Sequence, residues 1–457
     1  MRGTSCSSLS SAAEVLPSIT TSQAAERRLA LMRRDEDNLV LAHSTDSVDA
    51  INATFYGRFQ FPWPPLTFSK PTQPDLEAVM LNQSLGSWNR SIVPTEPKIW
   101  VAGCGTNQAI FTALRFPKAT ILGTDLSAPS LETASQNART LGISNLELKE
   151  ESINHASYAE EFDYIICTGV IHHNADPAEP LQNLTRALKK GGVLELMVYN
   201  RYHRIITTAF QKAIRMFGDG PANGDFEREL MITKKILAGT RFRNLFATLL
   251  ETYKGSKEAE LADALLQPVE YSFTVDSFQE LVDRCGLELL LPCINQYDKA
   301  SGSFNWNMEF SDPGLQEDYD SFPDLKRWQI SNHLMLERSP MLWFYVGRKD
   351  SGRPRKPEVQ VCQEFLDLGF EKSDTQKIVY KKTVRGDYLE GKQPLPYPGL
   401  HEDALCRQVI ASVEAQPAKT MREIFHHLEI DTALSQANRV RLCLTTNAFP
   451  YLKARTA

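Results

Sequence analysis

The stretch from Lys98 to Asp125, KIWVAGCGTNQAIFTALRFPKATILGTD, constrains this chain more than any other. Ile99–Ala102 is a short apolar run with β-formers, as expected of a buried parallel strand. Gly103-Cys104-Gly105 follows at once, and glycines there let the backbone turn sharply and leave room for a ligand against the main chain. From Asn107 to Arg115, Ala109, Ala113 and Leu114 are spaced for a helix packed on a sheet. Thr120–Gly123 is the next strand, and Asp125 stands at its carboxyl end, where a carboxylate can take both hydroxyls of a ribose. The third glycine of a dinucleotide site is missing, with Asn107 and Gln108 in its place, and no Lys-Ser/Thr follows as in a phosphate loop. The ligand implied has a ribose and no phosphates.

The strands and helices that follow keep to the same plan. Ser127 is a good N-cap for a helix over Ala128–Leu141, with Leu131, Ala134, Ala138 and Leu141 as its buried stripe and Gly142 as its end. Asp125 is then not needed as a cap, which favours the ribose role. Leu146–Lys149 is a third strand and Phe162–Cys167 a fourth. Thr168-Gly169-Val170-Ile171-His172-His173 leaves the carboxyl end of the fourth, where ligands sit in open α/β sheets. Adjacent histidines point in different directions, which argues against a metal pair. Each either bonds a neighbouring loop or faces the ligand. Asp176-Pro177 starts a helix carrying Leu181, Leu184 and Leu188, ended by Gly191-Gly192, and Val193–Tyr199 is the fifth strand. Its polar end, Tyr199 to Arg204, is either a solvated helix start or a substrate-facing set with Tyr199 and His203 as hydrogen-bonding or base groups.

Four runs in order, VAGCGT, GTDLS, FDYIICTGVIHHNADP and LKKGGVLELMVY, resemble the class I S-adenosylmethionine-dependent methyltransferases. They are most similar to the GVLHH-type branch, with its tetratricopeptide-linked and type 11/12 members. The resemblance is close over about Lys98–Asn200 and looser out to Arg348. It implies an α/β fold with a Rossmann-like seven-stranded methyltransferase sheet and S-adenosyl-L-methionine as cofactor. Carried over by position, the cofactor residues are Ala102, Gly103, Cys104, Gly105, Thr106, Asn107, Asp125, Leu126, Ser152, Ile153, Thr168, Gly169 and His172. The catalytic candidates are His172, His173, Tyr199 and His203. The family places an acidic residue near the adenine amino group just past the third strand; here Ser152 aligns with it, after Glu150 and Glu151. The Asn/Asp-Pro-Pro-Tyr motif of amine-methylating enzymes is absent after the fourth strand. That favours an O or C acceptor of a small molecule over nucleobase amines. A protein or RNA methyltransferase that docks through the C-terminal module, and a non-catalytic cofactor-binding regulator, are the alternatives. Methyl transfer is expected as an in-line displacement whose main demands are alignment and exclusion of water.

The 457 residues permit two or three domains. Residues 1–47 read as a mobile tail, with a transit peptide as the alternative, opposed by Glu14, Glu26, Asp35 and Glu36. In 48–97, Phe55–Pro65 (FYGRFQFPWPP) is either a proline-stiffened connector or a flap over the cofactor, and Asp75–Leu85 is a helix. The methyltransferase domain spans 98–349, with helical insertions at 205–267 and 293–338. The sixth strand is expected at Leu287–Leu291 and an antiparallel seventh at Met341–Val346. Residues 350–358 are a linker. Residues 359–457 form a small, mostly helical domain, winged-helix-like, with helices at Glu402–Glu414, Thr420–Leu428 and Thr432–Thr446. It reads as a docking or homodimer-forming module rather than a nucleic-acid reader. A net charge of −6 argues against a general nucleic-acid binder. Eight cysteines without a C-x-x-C pair, and no apolar run of the ~18 residues a membrane helix needs, fit a cytoplasmic protein with no membrane partner.

Overall fold

The computed structural model describes residues 44–62, 67–217, 226–239, 244–294, 306–373, 376–394, 404–446 and 452–455. The expected tail lies almost wholly outside them, as do Trp63, Pro64 and Pro65 of the aromatic segment. Helix α1 (Thr45–Arg58), strand β1 (Thr67–Pro71) and helix α2 (Leu76–Ser84) come before the central sheet. Ser44 caps α1, its hydroxyl accepting from the Ser47 amide.

The centre is a seven-stranded sheet. Its strands are β2 (Lys98–Ala102), β3 (Thr120–Asp125), β4 (Leu146–Glu150), β5 (Phe162–Thr168), β6 (Leu188–Val198), β7 (Leu287–Pro292) and β8 (Leu342–Arg348). Their order is β4-β3-β2-β5-β6-β8-β7, with β2 to β6 parallel and β8 antiparallel to both β6 and β7. Helices α3 (Gln108–Arg115), α4 (Ala128–Thr140) and α5 (Ala178–Ala187) make the parallel crossovers. Leu181 and Leu184 of α5 are fully buried against Leu194, Leu196 and Phe344 on one face of the sheet. Ala109 and Ala113 of α3 pack on Val101, Ile121 and Tyr164 on the other. Each fully buried leucine contributes about 1.5–3 kcal/mol of transfer free energy, so these small interlocking stripes fix the sheet and the ends of its strands.

The fifth parallel strand begins five residues earlier than expected. Helix α5 stops at Ala187, and Leu188–Lys190 with Gly191-Gly192 already belongs to β6. The glycines do not end a helix. At Gly192 the carbonyls of Phe162 and Asp163 pass so near that a Cβ would sit 3.0 Å from each, so the close pairing of β5 and β6 is what requires a residue without a side chain.

After β6 comes a helical insertion of α6 (Arg201–Met216), α7 (Phe226–Gly239), α8 (Leu245–Tyr253) and α9 (Glu258–Leu265). Its apolar core takes in Phe55 and Phe59 of α1, with the Phe55 and Phe226 rings 5.1 Å apart. Helix α10 (Val275–Arg284), opened by a capping box at Thr274 and Ser277, leads into β7. Helices α11 (Pro313–Ser321) and α12 (Asp324–Met335) form the second insertion, whose Trp306 and Trp328 pack on Phe344 in the core.

The C-terminal third holds α13 (Glu358–Asp367), β9 (Phe370–Lys372), β10 (Gln376–Lys382), β11 (Tyr388–Pro394), α14 (Ala404–Ala415), α15 (Met421–His427), α16 (Leu434–Thr445) and β12 (Leu452–Ala454). The helices and the β9–β12 pair enclose a core of their own that also takes in Trp88 and Leu291. The hairpin β10–β11 goes elsewhere. It completes a three-stranded sheet with β1, and Phe68 and Tyr380 of that sheet pack on Ile110 and Leu114 of α3. The expected linker ends in a buried ionic junction. Arg327 of α12 pairs with Asp324 (2.8 Å) and Glu358 (3.0 Å), and Asn438 of α16 donates to Glu358 (3.1 Å). Removing one member of such a buried set costs about 3–5 kcal/mol, so the C-terminal helices are bolted to the second insertion.

Candidate active site

A cavity of about 450 Å³ opens over the carboxyl ends of β2 to β6, within the usual range for a small-molecule site. Because β3–β4 and β5–β6 lie on opposite sides of β2, the cavity has two ends about two strand spacings to either side, roughly 10 Å each.

The first end is built on Asp125. Its carboxylate accepts the Gly105 amide (2.7 Å) and the Ser127 amide (2.8 Å). Burial raises its pKa, and the backbone amides of Ser127, Gly105 and Leu126 oppose that. Ser127 caps α4, as expected, yet Asp125 also has a structural task, since it ties the glycine turn to the end of β3. Each of its oxygens keeps a lone pair for a ribose hydroxyl. Gly103 (φ +71) and Gly105 (φ +54) occupy the left-handed region. Close approach also demands glycine there: a Cβ at Gly105 would lie 2.6 Å from the Phe61 carbonyl, and one at Gly103 would lie 2.5 Å from a Val170 methyl.

Phe61 and Pro62 line the cavity beside that turn, and Thr106 holds them by donating its hydroxyl to the Pro62 carbonyl. Helix α1 lies along the cavity with Asp49, Asn52 and Tyr56 at i, i+3 and i+7, one face of the helix.

The second end gathers Thr168, Gly169 and His173 from β5 and its loop, Tyr199 from the end of β6, Tyr56 from α1 and Asp263 from α9. His173 Nδ1 donates to the Val269 carbonyl (2.7 Å), which leaves Nε2 as an acceptor. Burial lowers its pKa to about 4, so it is neutral and a weak base near pH 7. Asp263 is the opposite case. Burial raises its pKa to about 7, Arg204 pulls it down and Glu270 adds to the rise. Arg204 is engaged elsewhere, held by Glu270 through two bonds of 2.7 and 2.6 Å and stacked 4.4 Å from the centre of the Tyr199 ring. Burial pushes the phenols of Tyr199 and Tyr56 up, so both stay protonated.

Of the expected cofactor residues, Gly103, Cys104, Gly105, Asn107, Asp125, Leu126, Ser152, Ile153, Thr168 and Gly169 line this cavity. Ala102 is buried within β2 and Thr106 works as the clamp on Pro62; neither is part of the lining. His172 also lies behind the cavity wall. It is fully buried, its ring centre is 4.0 Å from that of Tyr199, and neither ring nitrogen has a hydrogen-bond partner. His203 is outside the cavity, with Nε2 2.9 Å from the Ser339 carbonyl and Nδ1 3.1 Å from the Met341 sulfur. The first turn of α6 after Asn200 carries its ring away from the crevice to the single helical turn Leu336–Arg338 beyond α12. His173 and Tyr199 face the cavity.

Asp49, Asn52 and Asp263 were not among the expected site residues. The α1 pair had a signal, the i, i+3, i+7 spacing of polar and aromatic residues in TDSVDAINATFYGR. Asp263 had none: in EAELADAL it looks like any solvated acid.

A parallel sheet with an antiparallel strand inserted next to last, and a glycine turn tied to an aspartate at the end of the neighbouring strand, define a class I methyltransferase domain. Residues 102–216 match the sequence profile of the family described as "Methyltransferase domain". The chain therefore contains a class I S-adenosylmethionine-dependent methyltransferase domain; it is an enzyme, and its methyl donor is S-adenosyl-L-methionine. The chain is similar to an uncharacterized protein of Synechococcus sp., 24% identical over 354 residues, 76% of this chain and 79% of that one. It is 33% identical over 97 residues to the tRNA U34 carboxymethyltransferase of Campylobacter jejuni, a match that spans 21% of this chain and 32% of that enzyme. Among solved structures, PKMT2 from Rickettsia typhi shares the fold, with a TM-score of 0.52 at 15% identity over 86% of this chain and 76% of that one. Among the described residues, no helix is long and apolar enough to cross a membrane.

Proposed function

We propose that this enzyme methylates an alkyl amine, and that Asp263 removes the proton the amine must lose. The observation that carries this reading is the Asp263 carboxyl at the second end of the cavity, with a pKa of about 7 and no ion-pair partner among the described residues, between two tyrosines. The cofactor supplies a methyl group already activated on a sulfonium. The chain's own residues have three tasks. Asp125 and the glycine turn anchor the ribose. Tyr56 offers an aromatic ring to a cation, a contribution of about 0.5–2 kcal/mol when desolvated. Asp263 pairs with an incoming ammonium and takes its proton, a step His173 cannot perform well with a pKa of about 4. The neutral amine is then the nucleophile for an in-line displacement.

The O or C acceptor expected from the sequence would use the same base. It gains less from an aromatic ring beside a carboxylate, and an anionic acceptor is repelled there. The missing Asn/Asp-Pro-Pro-Tyr motif counts against a planar nucleobase amine and is no obstacle to an alkyl amine. A phosphate-rich acceptor would meet Asp49, Glu151 and Asp263 around the cavity, which weighs against RNA. The test is transfer of a labelled methyl from S-adenosylmethionine to three acceptor sets: alkyl amines free or on peptides, phenols, and RNA. Label in the amine set supports the reading. Label in phenols or RNA with none in amines overturns it.

A further inference from the structure

The cavity wall contributed by α1 presents a set of hydrogen-bond acceptors that the ribose and the acceptor end do not use. Asn52 is 5% exposed and lines the cavity. Its amide nitrogen donates to the His173 carbonyl (2.7 Å), which fixes the orientation of the group. Its Oδ1 is then aimed away from that carbonyl, buried, and without any partner. An unpaired buried acceptor costs about 1–3 kcal/mol, so a donor brought to this oxygen by a ligand would be favourable.

Asp49 lies one helical turn before Asn52, on the same face, and is 7% exposed. Its Oδ2 accepts from the Ser152 hydroxyl (2.5 Å) and its Oδ1 from the Asn154 amide (3.0 Å). Asn154 cannot be turned the other way round. Its amide also donates to Asn174 Oδ1 (2.8 Å), and Asn174 is itself fixed by donating to the carbonyls of Val170 and Ile171. The carboxylate therefore faces the cavity as a pure acceptor with one spare lone pair on each oxygen. Asp49 is held by Ser152, past β4 on the Asp125 side of β2, and Asn52 by the His173 carbonyl in the loop after β5 on the other side, so this face of α1 spans the two; Leu126, Ile153 and Val170 add apolar lining.

An apolar slot next to a ribose anchor, rimmed by two acceptors, suits a purine edge that carries an exocyclic amino group. Its two N–H bonds match the two acceptors. We propose that Asp49 and Asn52 of helix α1 read the adenine amino group of the cofactor. The adenine contact is thus supplied by a helix N-terminal to the sheet and outside residues 102–216, while Ser152, at the end of β4, only orients Asp49. This rests on the cavity's being the cofactor site. It adds that the cofactor pocket is incomplete until α1 is in place. Burial raises the Asp49 pKa, opposed by its bonds to Ser152 and Asn154, so an amino donor also meets a carboxyl whose charge is not yet satisfied.

The experiment is calorimetric titration of the full-length protein with S-adenosylhomocysteine and with its 6-oxo counterpart, S-inosylhomocysteine. In the latter an acceptor replaces the amino donor. The variants are Asp49→Asn and Asn52→Ala. Wild type is expected to prefer the 6-amino ligand by at least about tenfold, as sites built to pair one hydrogen-bonding group reject its opposite. Asp49→Asn, which offers an amide N–H to the oxygen, should cut that ratio severalfold, and Asn52→Ala should cut it by a smaller factor. The ratio of two ligands on one protein is insensitive to partial misfolding, and thermal unfolding reports folding separately. A wild-type preference left unchanged in both variants overturns the proposal while the cofactor site stands. Failure of folded wild type to bind either ligand overturns both together.

Discussion

The two ends of the cavity are built by different means. The end over β3 and β4 is made of strand ends and the turns next to them, so each residue's place follows from local chain geometry: Gly103, Gly105, Asp125 and Ser127 fall within one βαβ unit. The end over β5 and β6 is assembled from distant pieces, with Tyr56 from α1, His173 and Tyr199 from strand ends, and Asp263 from a helix in the insertion. What differs physically is what holds each group. Asp125 is fixed by backbone amides, and Asp263 only by the packing of α9 against α6 and α1. On the proposed reading, ribose anchoring belongs to the sheet, whereas acceptor choice belongs to whatever helices cover it. One sheet can then serve many acceptors by changing its cover.

This division can be broken at either end. Asp263→Asn is expected to lower kcat by about 10²–10⁴-fold, as loss of a general base does, while the cofactor Kd holds. In wild type kcat should rise with pH and level off above about 7, where Asp263 has lost its proton, and the variant should lack that limb. A flat wild-type profile would remove Asp263 from the chemistry. Asp125→Ala should weaken cofactor binding by about 100-fold through two lost charge-assisted bonds. If calorimetry finds only a lower Tm at unchanged Kd, the aspartate serves the turn and not the ribose. Gly105→Ala forces a Cβ against the Phe61 carbonyl at a positive φ, and about a tenfold loss of affinity is expected as Phe61 and Pro62 shift. The smallest effect is on stability. The folded chain keeps the Asp263 proton up to about pH 7, while an unfolded aspartate releases it near 3.8, so stability falls as pH rises through that window. Asp263→Asn should therefore raise Tm by about 1–2 °C at pH 8 and leave it unchanged at pH 4, as a melting curve at each pH would show.

The cofactor half was legible in the sequence because its signals are short-range. The glycine pair, the aspartate at a strand end and the Ser127 cap each depend on neighbours within a few positions. Strands β7 and β8 were placed for the same reason, by their apolar runs at Leu287–Leu291 and Met341–Val346. Where the reading of His172 and His203 parted from the structure, the cause was direction. The His172 and His173 rings touch, 4.2 Å between centres, yet His172 is buried behind Tyr199 and His173 meets the cavity. Asp49 had only the spacing of α1 as a signal, because its cavity face is set by Ser152, 103 positions away; Asp263 had none, because its place depends on how α9 packs on α6 and α1. Strand β1 was missed because TFSKP has too few apolar residues to signal a strand, and only β10 makes it one.

The pairing of β1 with β10 bears on when this enzyme can first work during its own synthesis. Gln376 bonds Thr72 across 304 positions of sequence, and Gln83 bonds Leu452 across 369. At 5–20 residues per second, the ribosome takes roughly 15–60 s to supply the strand that β1 needs. Until then β1 has no strand to pair with, and Thr106 on Pro62 and α3 on Phe68 are its nearby holds. The glycine turn and Asp125 are translated long before β10 completes the sheet beside them, so a nascent chain has the floor of the cavity well before it has an enclosed place for methyl transfer.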